Sequence, residues 1–162
     1  MVEHLRKEGA NVNQTAKNGS TALEIAVKKN RLDLCQLIGV SALLTPTIIE
    51  IAIKKGSLEI NKFLAGLKGI LTYVNYVNPL KETSLLLAIK YANIPLAIHI
   101  LSLINNQATL DAENYIGETP VLLAIQGKFY SLLEELLKRK VNITPIKLFK
   151  LLLETGYTGE NK

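Results

Sequence analysis

Apolar residues in this chain fall into short clusters at three- and four-residue spacing, separated by polar links of a few residues. Four segments share one pattern: Thr21-Ala22-Leu23-Glu24-Ile25-Ala26, Thr47-Ile48-Ile49-Glu50-Ile51-Ala52, Thr83-Ser84-Leu85-Leu86-Leu87-Ala88 and Thr119-Pro120-Val121-Leu122-Leu123-Ala124. Each reads Thr-x-aliphatic-x-aliphatic-Ala, and the four alanines are 26, 36 and 36 residues apart. Six residues after each alanine stands Leu32, Leu58, Ile94 or Tyr130, and twelve after stands Ile38, Leu64, Ile100 or Leu136. The spacing predicts helix pairs. A threonine at the start can accept an orphan N–H of the first turn, and Pro120 and Pro145 sit where a first-turn proline costs nothing. The first helix of each pair is expected to run eight or nine residues and to close at Asn30, at Gly56 or near Gly127. The second is expected over about Leu32–Ile38, Leu58–Leu67, Pro95–Ile104 and Tyr130–Lys138. The small alanine lets the two helices approach closely. Neither helix can hide its apolar stripe alone, so the predicted fold is all-α, built of stacked antiparallel pairs.

The links carry a second signal. Gly9-Ala10-Asn11-Val12-Asn13, then Gly19-Ser20-Thr21-Ala22-Leu23 and Ala26, resemble the ankyrin-repeat signature of hairpin entry and helix start. The stretch Leu110–Pro120 is similar over the whole hairpin, and Val74–Thr83 follows it with Lys81 where the glycine would be. The resemblance implies an ankyrin-repeat solenoid with short projecting hairpin loops, one domain over 1–154. Its parts would be a partial repeat 1–13, repeats at about 14–40, 41–72, 73–109 and 110–143, and a terminal half-repeat 144–154, with 155–162 as a flexible tail. The departures matter. The family period is about 33 residues, so the 26-residue interval leaves Gly39–Pro46 too short for a projecting hairpin. The longer intervals are expected to carry extra loop residues around Leu67–Leu71 and Asn105–Gln107. Glu24, Glu50, Leu86 and Leu122 stand where the family has a histidine. Met1–Lys7 matches only a second helix, which implies a first repeat that begins upstream. Phe149 replaces the alanine of the terminal half-repeat, where no further unit would stack on it.

Composition narrows the function classes. With 162 residues, 48% hydrophobic and 20% charged, the chain has material for a core and too little charge for disorder. The apolar run Leu85–Ile89 is far below the roughly 18 residues of a membrane span, and Met1–Lys7 has no apolar signal core. The expected location is intracellular and cytoplasmic, the alternative being export into a host cell as an effector without a classical signal peptide. The single cysteine, Cys35, excludes an intramolecular disulfide and a multi-thiolate metal site. Cys35 with His4 or His99 is the conceivable thiol–imidazole pair, but the two histidines occupy equivalent places in different repeats. Glu134 and Glu135 are adjacent on an amphipathic helix and point different ways. No glycine-rich phosphate cradle is present, and the Asn-x-Ser/Thr triplets at Asn13, Asn18 and Asn142 read as hairpin and cap chemistry. The expectation is no enzyme, no cofactor and no metal.

A recognition role remains. In ankyrin-like proteins, hairpin tips and the ends of the first helices grip a partner protein, and the resemblance carries those positions over one by one. The first repeat offers Thr15, Lys17, Asn18, Ser20, Lys28 and Lys29; the second, without a finger, offers Lys54 and Lys55. The third offers Val77, Pro79, Leu80, Glu82, Lys90 and Tyr91, and the fourth Glu113, Tyr115, Ile116, Glu118, Gln126 and Gly127. Lys28, Lys29, Lys54, Lys55 and Lys90 would form a basic stripe suited to a partner segment with acidic residues. Lysines there also complement the helix dipole, so both readings stand. The net charge of +5 and pI near 9.3 are mild; nucleic-acid or anionic-surface binding is the lesser alternative, testable by salt dependence. Another alternative is a targeting module of a larger enzyme or secreted bacterial effector.

Overall fold

The computed structural model describes residues 11–39, 41–67 and 70–141, together with Pro145, Phe149 and Leu153. The first ten residues of the expected partial repeat, the rest of the terminal half-repeat and the tail 155–162 lie outside the described residues. The chain divides into two compact units, Met1–Tyr76 and Val77–Lys162. Among the described residues the structure is helical, with turns and two isolated antiparallel bridges, Thr15 with Thr21 and Val77 with Thr83. The first unit contains α1 (Ala22–Lys28), α2 (Leu32–Gly39), α3 (Pro46–Lys55), α4 (Leu58–Leu67) and α5 (Ile70–Val74). The second contains α6 (Ser84–Lys90), α7 (Ile94–Leu103), α8 (Gln107–Leu110), α9 (Pro120–Gln126) and α10 (Tyr130–Lys138). No helix among the described residues is long and apolar enough to cross a membrane.

In the first unit α1 packs on α2 and α3, α2 on α4, and α3 on α4, which also carries α5. Thr21 caps α1, its Oγ1 accepting the Glu24 N–H at 3.2 Å. In α3 the cap is Thr45 rather than the expected Thr47: Thr45 Oγ1 accepts the Ile48 N–H at 3.3 Å, and Pro46 begins the helix. The physical reason is proline, which has no N–H to lose in the first turn and a φ already suited to it. Thr47 therefore lies inside α3. Leu23, Ala26, Cys35, Ile48, Ala52 and Leu64 are buried among the core. Where a finger is missing, Ser41 and Ala42 N–H groups turn back onto Ile38 and Gly39 carbonyls, each at 3.2 Å. Asn13 ties this short turn down, its Oδ1 accepting the Leu43 N–H at 2.7 Å.

In the second unit α6 packs on α7 and α9, α7 on α10, and α9 on α10. Thr83 and Thr119 cap α6 and α9 by accepting the N–H of Leu86 and Leu122. Both helices are buried on every side over Ser84–Ile89 and Pro120–Ile125, as expected of helices apolar all round. The residues expected as loop insertions are partly helical: Ile70–Val74 and Gln107–Leu110 each form a further turn. Asn106 caps the latter through its Oδ1, which accepts the Ala108 N–H at 2.9 Å. Pro145, Phe149 and Leu153 are helical and exposed.

The four recurrent alanines are all buried, and their carbonyls organise the helix ends. After α1 the Arg31 N–H reaches Ala26 O at 3.0 Å and the Asn30 N–H reaches Val27 O at 3.0 Å. The same two bonds recur after α6, from Asn93 to Ala88 and Ala92 to Ile89, and after α9, from Phe129 to Ala124 and Lys128 to Ile125. Asn30, Ala92 and Lys128 take the left-handed conformation this ending requires, with φ of 53°, 54° and 57°. After α9 the left-handed residue is Lys128, one beyond Gly127. After α3 the ending differs. The Gly56 N–H takes Ala52 O at 2.8 Å, and buried Asn61 donates through Nδ2 to the carbonyls of Ala52, Gly56 and Ser57. A Cβ on Gly56 would stand 2.7 Å from Ala52 O. Asn61 Oδ1 in turn accepts the hydroxyl of Tyr73 from α5, whose burial pushes its pKa up.

Candidate functional site

Three stretches among the described residues, 15–21, 77–83 and 113–119, follow one turn path. The N–H and carbonyl pairs are Ala16 with Ser20 (2.9 Å), Asn78 with Glu82 (3.0 Å) and Asn114 with Glu118 (3.1 Å). Each turn closes on a left-handed residue: Gly19 at φ 78°, Lys81 at 59° and Gly117 at 82°. Glycine adopts this conformation without penalty, whereas a lysine there is strained.

Side chains then separate the second-unit fingers from the first. Asn78 Oδ1 accepts the N–H groups of Leu80 and Glu82, both at 2.9 Å, while its Nδ2 donates to Glu82 Oε2 at 2.7 Å. Asn114 repeats this with Ile116, Glu118 and the Glu118 carboxylate at 3.1, 2.9 and 2.7 Å. In the first finger Ala16 takes that place, and Asn18 Oδ1 accepts the Ser20 N–H at 3.1 Å. Sequence reasoning missed Asn78 and Asn114, although the spacing Asn-x-x-x-Glu-Thr occurs in both fingers. Lys90 Nζ donates to Glu82 Oε1, and Glu82 is buried while the Lys90 side chain is 38% exposed. The Glu82 carboxylate raises the pKa of Lys90, with Glu118 adding to the same direction and desolvation opposing it.

The two fingers are joined. The Tyr115 N–H donates to Leu80 O at 3.3 Å, and Lys81 Nζ lies 4.8 Å from the centre of the Tyr115 ring. Between them opens a recess of about 70 Å3 lined by Leu80, Glu82, Lys90, Asn114, Tyr115 and Ile116. Its lips are apolar and solvated: Leu80, Tyr115 and Ile116 are 57%, 67% and 75% exposed. Five of the sequence-predicted residues thus meet around one opening. Pro79 and Tyr91 are exposed and Glu118 half-buried, but they lie outside its lining.

Val77, Glu113, Gln126 and Gly127 are exposed in the second unit, also outside the lining, and the remaining predicted residues belong to the first unit. Lys17 and Asn18 are exposed on the first finger, Ser20 is buried, and Lys28 Nζ reaches Ser20 Oγ at 3.4 Å. Lys29 caps α1 through its backbone. Lys54 pairs with Glu50 at 3.5 Å, a carboxylate that also accepts the Tyr76 hydroxyl at 2.7 Å, and Lys55 is exposed at the end of α3. Lys28 and Lys90 thus fold back onto the residue eight positions earlier in their own finger. Burial pushes the Cys35 thiol up, away from the thiolate a nucleophile requires. Among the described residues no group of three metal-ligating side chains comes together.

No protein-family model matches the chain. The chain is similar to alpha-latrotoxin-Lg1a of Latrodectus geometricus, 29% identical over 137 residues, which cover 80% of this chain and 10% of that protein. The chain therefore spans about a tenth of the length of that curated relative.

Proposed function

We propose that this chain is a non-catalytic protein-interaction module of ankyrin-like architecture, gripping a partner protein through its fingers and the ends of its first helices. The observation that carries the reading is the joined finger pair, which holds Leu80, Tyr115 and Ile116 out to solvent on a hydrogen-bonded edge. Exposed aromatic and aliphatic anchors on a rigid support are what an interface uses for affinity. The paired helices with their recurrent buried alanines support the solenoid reading. The lysine pairs Lys28-Lys29 and Lys54-Lys55, ending two helices in contact, suit a partner segment with acidic residues, and charges of this kind act mainly on the association rate.

Crosslinking mass spectrometry would identify a partner joined to these residues, and binding kinetics would then test them. Reversing Lys54 and Lys55 to Glu should slow association by about 3–10-fold. Tyr115→Ala should speed dissociation by about tenfold. If both variants bind that partner as the parent does, the reading fails. In a second reading these residues are one segment of a larger protein, favoured by the tenth of the Latrodectus protein they align with. A native polypeptide near 17.9 kDa on immunoblot would exclude it, and a much larger band would support it.

A further inference from the structure

We infer that the recess between the joined fingers is a specificity pocket for a small aliphatic side chain, of valine or proline size, in an uncharged stretch of the partner. This deepens the protein-interaction reading and rests on it. The polar groups of the recess are already bonded to one another. Glu82 gives one carboxylate oxygen to Lys90 and the other to Asn78. Asn114 accepts two backbone N–H groups and donates to Glu118. A charged guest would lose its water against groups already bonded to one another, and nothing there would replace the loss.

The charges themselves lead to the same selection. A carboxylate entering toward Lys90 meets Glu82 bonded to it and feels Glu118 close by; an ammonium entering toward Glu82 meets Lys90. The opening is neutral to a visitor, so its selectivity falls to shape and apolar contact. Leu80, Tyr115 and Ile116 supply that contact from lips that water otherwise covers. The volume of about 70 Å3 matches a few carbon atoms, so an aromatic ring would stand largely in the open mouth.

The edge is also built to hold its form. Lys81 stays in the left-handed region at a strained φ, with its ammonium over the Tyr115 ring and the neighbouring Leu80 carbonyl bonded to the Tyr115 N–H. Contacts on both sides of Lys81 thus hold the edge in one form. An edge already in its bound form orders fewer groups on binding.

The test is methyl and amide NMR of the full chain, titrated with capped pentapeptides Ac-Gly-Gly-X-Gly-Gly-NH2 in which X is Val, Pro, Asp, Lys or Trp. The Val and Pro peptides should move the Leu80 and Ile116 methyl signals with affinity about five-fold or more above the Asp, Lys and Trp peptides. Ile116→Ser, a change at an exposed tip that leaves the fold intact, should weaken the Val peptide by about five- to tenfold. The inference is overturned if the Asp, Lys or Trp peptide matches the Val peptide at these methyls, or if Ile116→Ser changes nothing. Lys54 and Lys55 amides report separately on the acidic-partner reading. If the Asp peptide moves them while no peptide moves the recess, the pocket is refuted and the wider reading stands; silence at both places refutes both.

Discussion

α1 and α6 begin from the same template, a capping threonine followed by Ala-Leu-Glu-Ile-Ala in one and Ser-Leu-Leu-Leu-Ala in the other, and they end in opposite surroundings. In α1 the residue before the alanine, Ile25, is 42% exposed, and Glu24 is half-buried; in α6 the equivalents Leu87 and Leu86 are 0% and 1% exposed. α3 follows α1, with Glu50 and Ile51 both half-buried, and α9 follows α6, with Leu122 and Leu123 buried. The cap and the alanine decide where a helix starts and how closely it packs. The two letters between them decide whether its remaining face meets water or protein. The exposed chemistry differs accordingly: lysine pairs end the half-exposed helices of the first unit, while the second unit presents apolar finger tips.

The most forceful way to break this comparison is to truncate the matched positions. Leu87→Ala should cost about 2–5 kcal/mol, as loss of a fully buried side chain does, whereas Ile25→Ala should stay within about 1 kcal/mol. Urea unfolding midpoints at unchanged slope would measure both, and equal losses would show that the two faces are not different environments. The fingers give a second matched pair. Asn114→Ala leaves the Ile116 and Glu118 N–H groups without their acceptor and should cost about 1–3 kcal/mol. Asn18→Ala removes one part-buried bond rather than two and should cost less, about 0.5–1.5 kcal/mol.

The finest test separates two opposed effects at Lys81. A left-handed lysine costs about 1–2 kcal/mol relative to glycine, and its contact with Tyr115 returns about 0.5–1 kcal/mol at an exposed site. Lys81→Gly in the parent should therefore change stability little. On a Tyr115→Ala background the same change should stabilise by about 1 kcal/mol, and a double-mutant cycle would read the coupling. Zero coupling would mean that the ring does not hold the ammonium.

Local chemistry carries most of what the sequence shows of this fold. Three of the four threonine caps, the second-helix positions and the burial of Ala26, Ala52, Ala88 and Ala124 follow from capping and helical period. Thr45 is misread as Thr47 because the six-residue template outweighs a Thr-Pro pair that already signals a start. Ile70–Val74 and Gln107–Leu110 are too short for a period to show. At the candidate site, tip positions such as Leu80, Tyr115 and Ile116 are legible from the hairpin register. The neutralisation of Lys90 by Glu82 is not, since it depends on a side chain folding back eight residues. Asn61 and Tyr73 meet across α4 and α5, a juxtaposition that only the packed chain creates.

The alanine carbonyl also sets a distance along the chain. Because it accepts the N–H five residues on in three of the four pairs, and a side chain replaces part of that bond in the fourth, the step from first helix to second has one length in those three. The spacing between successive alanines, 26 and then 36 residues, is set outside that step. Each pair behaves as a cassette, free to change its neighbours' distance along the chain without renegotiating its own interior. An extra residue inside that step would pull the N–H away from the alanine carbonyl, while one added in a joint leaves the bond in place.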